Sequence, residues 1–148
     1  SANFLDANGK SNPMIMGCYG IGLNRIMAAA IEARHDENGI VWPKNVAPVD
    51  AHVVVLRAAG QEVVELGENV ANALSAAGHT VLLDDRDQRP GEKFADADML
   101  GAPIRVTVGK KFLEDGAVDV RSRRDSEDAR VDASEAVAQV EARWAELP

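Results

Sequence analysis

Short apolar runs alternate with helical stripes between residues 53 and 108, and this alternation limits the available folds more than anything else in the sequence. Val53 to Leu56 is an apolar run of the kind that fills a buried strand. Val63, Leu66, Val70 and Leu74 then recur at helical spacing, with Gly78 placed for a left-handed stop. Val81 to Leu83 reads as a second strand and leads into the polar loop DDRDQRPGEK. Phe94, Ala97 and Leu100 suggest a short second helix, ended by Gly101 and Pro103. Ile104, Val106 and Val108 alternate with smaller or polar neighbours, as a third strand does. Val118 and Val120 repeat the alternation after Asp115-Gly116, which predicts a hairpin, and Arg130-Val131 supplies a short fifth strand. Asp132 and Glu135 have capping-box spacing ahead of a last helix that carries Val137, Val140 and Trp144. The order βαβαβ-β-β-α predicts an α/β fold: a mixed, mostly parallel five-stranded sheet with an antiparallel edge, flanked by three helices.

The first forty residues follow another pattern. Phe4 to Ala7 and Met14 to Met16 flank Asn8-Gly9, a dipeptide suited to positive φ in a tight turn, so a hairpin is expected. A lone hairpin needs a larger sheet, and the chain opens abruptly at Ser1, so a piece of a longer protein is expected. From Leu23 to about His35, the residues Ile26, Met27, Ala30 and Ile31 recur at helical spacing, and Asp36 to Gly39 should end that helix. The stretch VWPKNVAPVDA contains Pro43 and Pro48 and reads as an extended linker. These features divide the chain into residues 1–41, a linker at 42–50, and a domain at 51–148.

Composition excludes several classes. No apolar run reaches membrane-spanning length. The single cysteine, Cys18, rules out an internal disulfide and suits a reducing cytosol, so a cytoplasmic location is expected. His35, His52 and His79 lack metal-ligand spacing, so no metal site is expected. A net charge of −8 argues against indiscriminate nucleic-acid binding, although local charge governs a specific site. Asp84, Asp85 and Arg86 follow a strand, where open α/β sheets place their sites. Nothing nearby supplies a nucleophile or a metal cluster, so a surface network of Asp85, Arg86 and Asp87 is expected there instead of a carboxylate active site.

The motif Gly20-Ile21-Gly22-Leu23-Asn24-Arg25 fails as a dinucleotide fingerprint, because Arg25 stands where the third glycine belongs. It reads equally as a glycine-eased turn into a helix, or as the strand-glycine-arginine-helix signature of class II aminoacyl-tRNA synthetases. The flanking sequence adds to this. MGCYGIGLNRIMAAAIEARHDENGIVWP resembles the third signature motif and following linker of bacterial-type prolyl-tRNA synthetases. DDRDQRPGEKFADADMLGAPIRVTVGKK resembles the anticodon-binding domain of the same family, so the resemblance covers essentially the whole chain.

The resemblance implies a family that ligates proline to tRNA using ATP and magnesium, in the cytoplasm and as a homodimer. It implies that Cys18 and Tyr19 border the proline pocket, that Gly20 and Gly22 admit ATP closely, and that Arg25 packs on the adenine and holds the phosphates. Cys18 reads equally as a small buried hydrophobe. The first and second signature motifs are missing here, so the chain alone is expected to be catalytically inactive. Its partner would be the anticodon loop of proline tRNA. Two other readings stay open: a stand-alone, non-enzymatic RNA-binding or accessory module, and another class II synthetase of the threonyl, histidyl or glycyl type.

Proline anticodons end in two guanines. Guanine offers two acceptors on its Hoogsteen edge, which suit arginine or lysine. Its Watson–Crick edge presents donors, which suit a carboxylate, and single-stranded loops expose both edges. The family resemblance assigns anticodon contacts to Asp98, Arg105 and Lys111. From Arg105 to Arg124 six basic residues face three acidic ones, a net of +3 within an acidic chain.

Overall fold

The structure is a computed structural model that describes residues 2–125 and 127–147. Strands β1 (Asn3–Leu5) and β2 (Ser11–Pro13) pair antiparallel, with Phe4 opposite Asn12. The second strand therefore lies ahead of the expected Met14 to Met16. The turn explains the shift. The Gly9 N–H donates to the Asp6 carbonyl at 2.9 Å, and the Asp6 N–H donates to Lys10 at 3.0 Å. Only Gly9 in this turn has positive φ, +76°, so a type I turn closed by a left-handed glycine replaces a two-residue Asn-Gly turn. Met14 to Gly22 runs on without regular structure.

Helix α1 (Leu23–Ala33) starts after Gly22 and buries none of its residues, although Ile26 and Met27 share one face. Where a helix stop was expected, the chain makes a second small hairpin, β3 (His35–Asp36) with β4 (Gly39–Ile40). The segment expected to be an extended linker is packed. It contains a 3-10 turn at Lys44–Val46, and its Trp42 is buried, with the indole N–H donating to the Leu100 carbonyl at 2.9 Å.

The main sheet follows. Its elements are β5 (Ala51–Val55), α2 (Gln61–Ala76), β6 (Val81–Asp84), α3 (Pro90–Leu100), β7 (Ile104–Val108), α4 (Phe112–Asp115), β8 (Ala117–Ser122), β9 (Ala129–Asp132) and α5 (Ala136–Glu146). The strand order is β6-β5-β7-β8-β9, the five-stranded mixed sheet that the patterning predicts. Both pairs made by β5 are parallel, as helical crossovers require, and the β7–β8 and β8–β9 pairs are antiparallel. The antiparallel part thus equals the parallel part.

Alternation sets the two faces. Val53, Val55, Val106, Val108, Val118 and Val120 point to one side, where Val63, Val70 and Leu74 of α2 and Ala136 and Val140 of α5 complete the core. Helix α2 ends in a Schellman motif. The Gly78 N–H donates to Ser75 at 3.0 Å and the His79 N–H to Leu74 at 3.1 Å, with Gly78 at φ +96°. Two junctions differ from expectation. The one-turn helix α4 replaces a simple turn at Asp115-Gly116, and the Gly116 N–H closes it on Phe112 at 2.8 Å. Asp132 caps through the Ser134 N–H at 2.8 Å, so an Asx cap on a short 3-10 turn stands in place of the reciprocal box with Glu135.

Candidate nucleic-acid interface

The other face of the sheet mixes apolar Val54 and Leu82 with the polar residues His52, Arg105, Thr107 and Arg121. Register places Leu82 beside His52, His52 beside Arg105, and Arg105 opposite Arg121. Two arginines directly opposite each other repel, so acidic neighbours must compensate them. Asp98, at the end of α3, accepts from Arg105 Nη1 at 3.3 Å, and Asp128 accepts from Nη2 at 3.4 Å. The Arg105 guanidinium lies over the Phe94 ring, 4.9 Å from its centroid, which holds the fork flat against α3. Arg121 Nε donates to the Asp125 carbonyl at 3.0 Å.

Acid and base thus meet as the guanine argument requires. The Arg105 side chain is 11% exposed, and the space bounded by Asp98, Arg105, Arg121 and Arg123 is only about 10 Å³. A planar ligand placed here would meet only the outer edges of this pair unless it displaced one of the two hydrogen bonds. Distances of 3.3–3.4 Å lie at the long end for N–H···O.

Lys111 is not part of this cluster. It caps α4 beyond the far end of β7 and is exposed. At about 3.3 Å of rise per strand residue, β7 carries it well out of reach of Arg105. Arg123 also takes a different part from the one its charge suggests. Its side chain is 6% exposed, and it grips Asp36 of the β3–β4 hairpin with two bonds of 2.7 and 2.8 Å. Its Nε reaches the Asp98 carbonyl at 3.2 Å.

Residues 46–143 match the family described as anticodon binding domain. The chain belongs to the anticodon-binding domain family. Over 99% of its length it is 51% identical to the proline--tRNA ligase of Halalkalibacterium halodurans, and over 91% it is 52% identical to that of Bacillus mycoides. It spans about a quarter of the length of the curated relatives it matches. Among solved structures, the prolyl-tRNA synthetase of Cryptosporidium parvum, complexed with L-proline and AMP, superposes with a TM-score of 0.72 at 27% identity. That match covers 83% of this chain and 26% of the other. The Giardia lamblia prolyl-tRNA synthetase shares the fold at 22% identity, with a TM-score of 0.69 over 82% of this chain and 29% of that one.

The carboxyl ends of β5 and β6, where an α/β sheet would open to a ligand, are plugged in this anticodon-binding domain. Lys93 of α3 is fully buried, and its Nζ donates to the carbonyls of Val55 at 2.6 Å and Asp84 at 3.0 Å. The surface network predicted for Asp85, Arg86 and Asp87 takes other partners. Arg86 pairs with Asp84 at 2.9 Å and Asp96 at 2.7 Å, because the strand end and α3 offer carboxylates on its own side. Among the described residues no group of three or more acidic, histidine or cysteine side chains could hold a metal, and no helix is long and apolar enough to cross a membrane.

Hydrogen bonds from Arg86 hold the Asp84 carboxyl down at about 2. Arg123 likewise holds the exposed Asp36 carboxyl well below the usual carboxylate range. An unfolded Asp titrates near about 3.9, so the contribution of Asp84 is complete above that value and is lost as pH falls toward its folded value of about 2. Because burial holds the His52 imidazolium below the ordinary histidine range, urea midpoints are expected to start falling below about pH 6.5, with a second decline below about pH 4 from the carboxylates. The second decline should be shallower in Arg86→Met, and an unchanged slope there would assign it to other carboxylates.

The residues of the first motif lie apart from this face. Cys18, Gly20, Gly22 and Arg25 are exposed, and Tyr19 is 99% exposed. Sequence reasoning missed His52, Phe94 and Arg121. Strand register places His52 and Arg121 beside Arg105, and the packing of α3 on the sheet brings Phe94 under its guanidinium; neither is visible in the local sequence.

Proposed function

We propose that this anticodon-binding domain reads guanine in the anticodon loop of proline tRNA through Asp98, Arg105 and the neighbouring Arg121, and that it serves a longer proline–tRNA ligase. The single observation that carries the reading is the Asp98–Arg105 pair where the end of α3 meets β7, with both guanine-matching chemistries side by side. Lys111 is left with a contact to the RNA backbone. In the longer protein, Cys18 and Tyr19 would border the proline pocket, and Gly20, Gly22 and Arg25 would hold ATP with its magnesium. That enzyme would be a cytoplasmic homodimer. Residues 1–41 belong to its catalytic part, 42–50 connect, and 51–148 read the RNA. The packing of Asp36 and Trp42 on the reading domain favours moving the first boundary back toward residue 34.

The test is a titration of stem-loops carrying guanine or adenine at each anticodon position. Arg105→Ala should lose about tenfold in affinity for guanine loops and most of the preference over adenine, since a bidentate arginine–guanine contact discriminates by about 1–3 kcal/mol. Lys110→Ala should weaken both loops alike and flatten the salt dependence. Equal weakening of both loops by Arg105→Ala would make Arg105 a backbone anchor and overturn the assignment.

A further inference from the structure

Alternation along β8 sends neighbouring side chains to opposite faces of the sheet. Ser122 shares the core side with Val118 and Val120 and is buried, whereas Arg121 stands on the face that carries Arg105. At the end of the strand the chain turns back, with the Asp125 N–H donating to the Ser122 carbonyl at 2.9 Å. Asp125 then serves both faces at once. Its carbonyl accepts from Arg121 Nε at 3.0 Å, and its carboxylate pairs with Arg143 Nη1 of α5. Arg143 Nη1 also donates to the Ser122 hydroxyl at 3.2 Å. Arg143 follows the fully buried Val140 by about one helical turn, so it leaves α5 on the side that packs on the sheet. Its own side chain is only 16% exposed.

The consequence falls on Arg121. Arg105 stands directly opposite, and like charges in that register repel, so Arg121 is pushed away unless something holds it. Among the described residues its one hydrogen bond is the Nε contact to the turn, and neither Nη has a partner. The tip of the fork is thus open to a ligand while its stem is held. A side chain held in this way has less conformational freedom to lose on binding. The hold is as firm as the turn that supplies it. Surface turns are mobile unless their atoms are tied down. Arg143 ties this one to a helix that Ala136 and Val140 seat in the core on the far side of the sheet.

We propose that Arg143 is a positioning residue for guanine reading: through Asp125 it holds Arg121 at the angle from which its open fork meets the base. This rests on the proposed RNA-reading function. The whole chain is titrated with proline-anticodon stem-loops carrying guanine or adenine at each anticodon position. The proteins are wild type, Arg121→Ala, Arg143→Met, Arg143→Lys and Asp125→Ala, and exchange of the Arg121 Nε–H with water is followed by NMR in all but Arg121→Ala. Methionine keeps much of the stem without the charge, and lysine keeps a charge for Asp125. Arg143→Met and Asp125→Ala should each cut the preference for guanine by about threefold or more, and combining them should add little. Both should speed the Arg121 Nε–H exchange, and Arg143→Lys should stay close to wild type in both readouts. An unchanged preference in the folded variants, whatever their melting temperatures, makes Arg143 a structural residue and overturns the proposal. Equal weakening of guanine and adenine loops, or a lost preference with the Arg121 exchange unmoved, overturns it too. Asp125→Ala decides the matter if Arg143→Met fails to fold. If Arg121→Ala loses the preference while Arg143→Met and Asp125→Ala keep it, the positioning role falls alone. If Arg121→Ala keeps the full preference, Arg121 is no reader, and its part in the reading falls together with the role of Arg143. If no stem-loop binds, both readings fall.

Discussion

Lys93→Met is expected to cost about 3 kcal/mol of stability and to lower the melting temperature by on the order of 10 °C. Methionine fills nearly the same volume, so the loss comes from polar groups rather than from a cavity. Without the ammonium, the carbonyls of Val55 and Asp84 lose a shared donor at the buried ends of two parallel strands. The Asp84 carboxylate also loses a cation 3.4 Å away and keeps only Arg86. Each unsatisfied buried acceptor costs about 1–3 kcal/mol. Thermal and urea melts of the two proteins measure the difference. A loss under about 1 kcal/mol would mean that the strand ends find other donors, and that Lys93 is a packing residue with an incidental charge.

Gly101→Ala is expected to cost about 2–3 kcal/mol, above the 1–2 kcal/mol that a left-handed backbone alone imposes on an L-residue. Gly101 sits at φ +72°, and a Cβ there would run into the carbonyl of Ile40. Gly39, across the same contact, leaves no room for a Cβ against the Asp98 carbonyl. Gly78→Ala is the matched control. It has φ +96° and open space around an added Cβ, so it bears the backbone cost alone. Trp42 fluorescence, read in a Trp144→Phe background, should shift to the red in Gly101→Ala as the β3–β4 hairpin lifts. Equal losses at the two glycines, with Trp42 unmoved, would show that the hairpin yields without cost.

Local rules carried the reading of the sheet because its strands and crossover helices are each amphipathic over a few residues. Val53 to Leu56, the Val63–Leu74 stripe and the Gly78 and Gly101 stops all lie where periodicity and left-handed glycine chemistry put them. Features set by distant partners left no local trace. Asp36 looks like a helix stop until Arg123, 87 residues later, is brought against it. Trp42 looks like a linker residue until Leu100 offers its carbonyl. The site divides the same way. Asp98 and Arg105 meet because a helix end and the next strand start adjoin, whereas Lys111 is carried off by the length of that strand. A lone histidine in an apolar strand likewise gives no sign that the His52 ring nitrogens are buried without a partner among the described residues.

The buckle formed by Asp36, Gly39 and Trp42 on the end of α3 has a practical meaning for anyone grafting this domain onto another scaffold. A cut just before Ala51, where the sheet begins, would expose the Leu100 carbonyl and leave Arg123 a nearly buried cation without its carboxylate. Arg123 also holds the Asp98 backbone, so the damage would reach the Asp98–Arg105 pair. A cut before His35 keeps these contacts. The portable part is therefore longer than its sheet, and the stretch that resembles a connector travels with the domain it leads into.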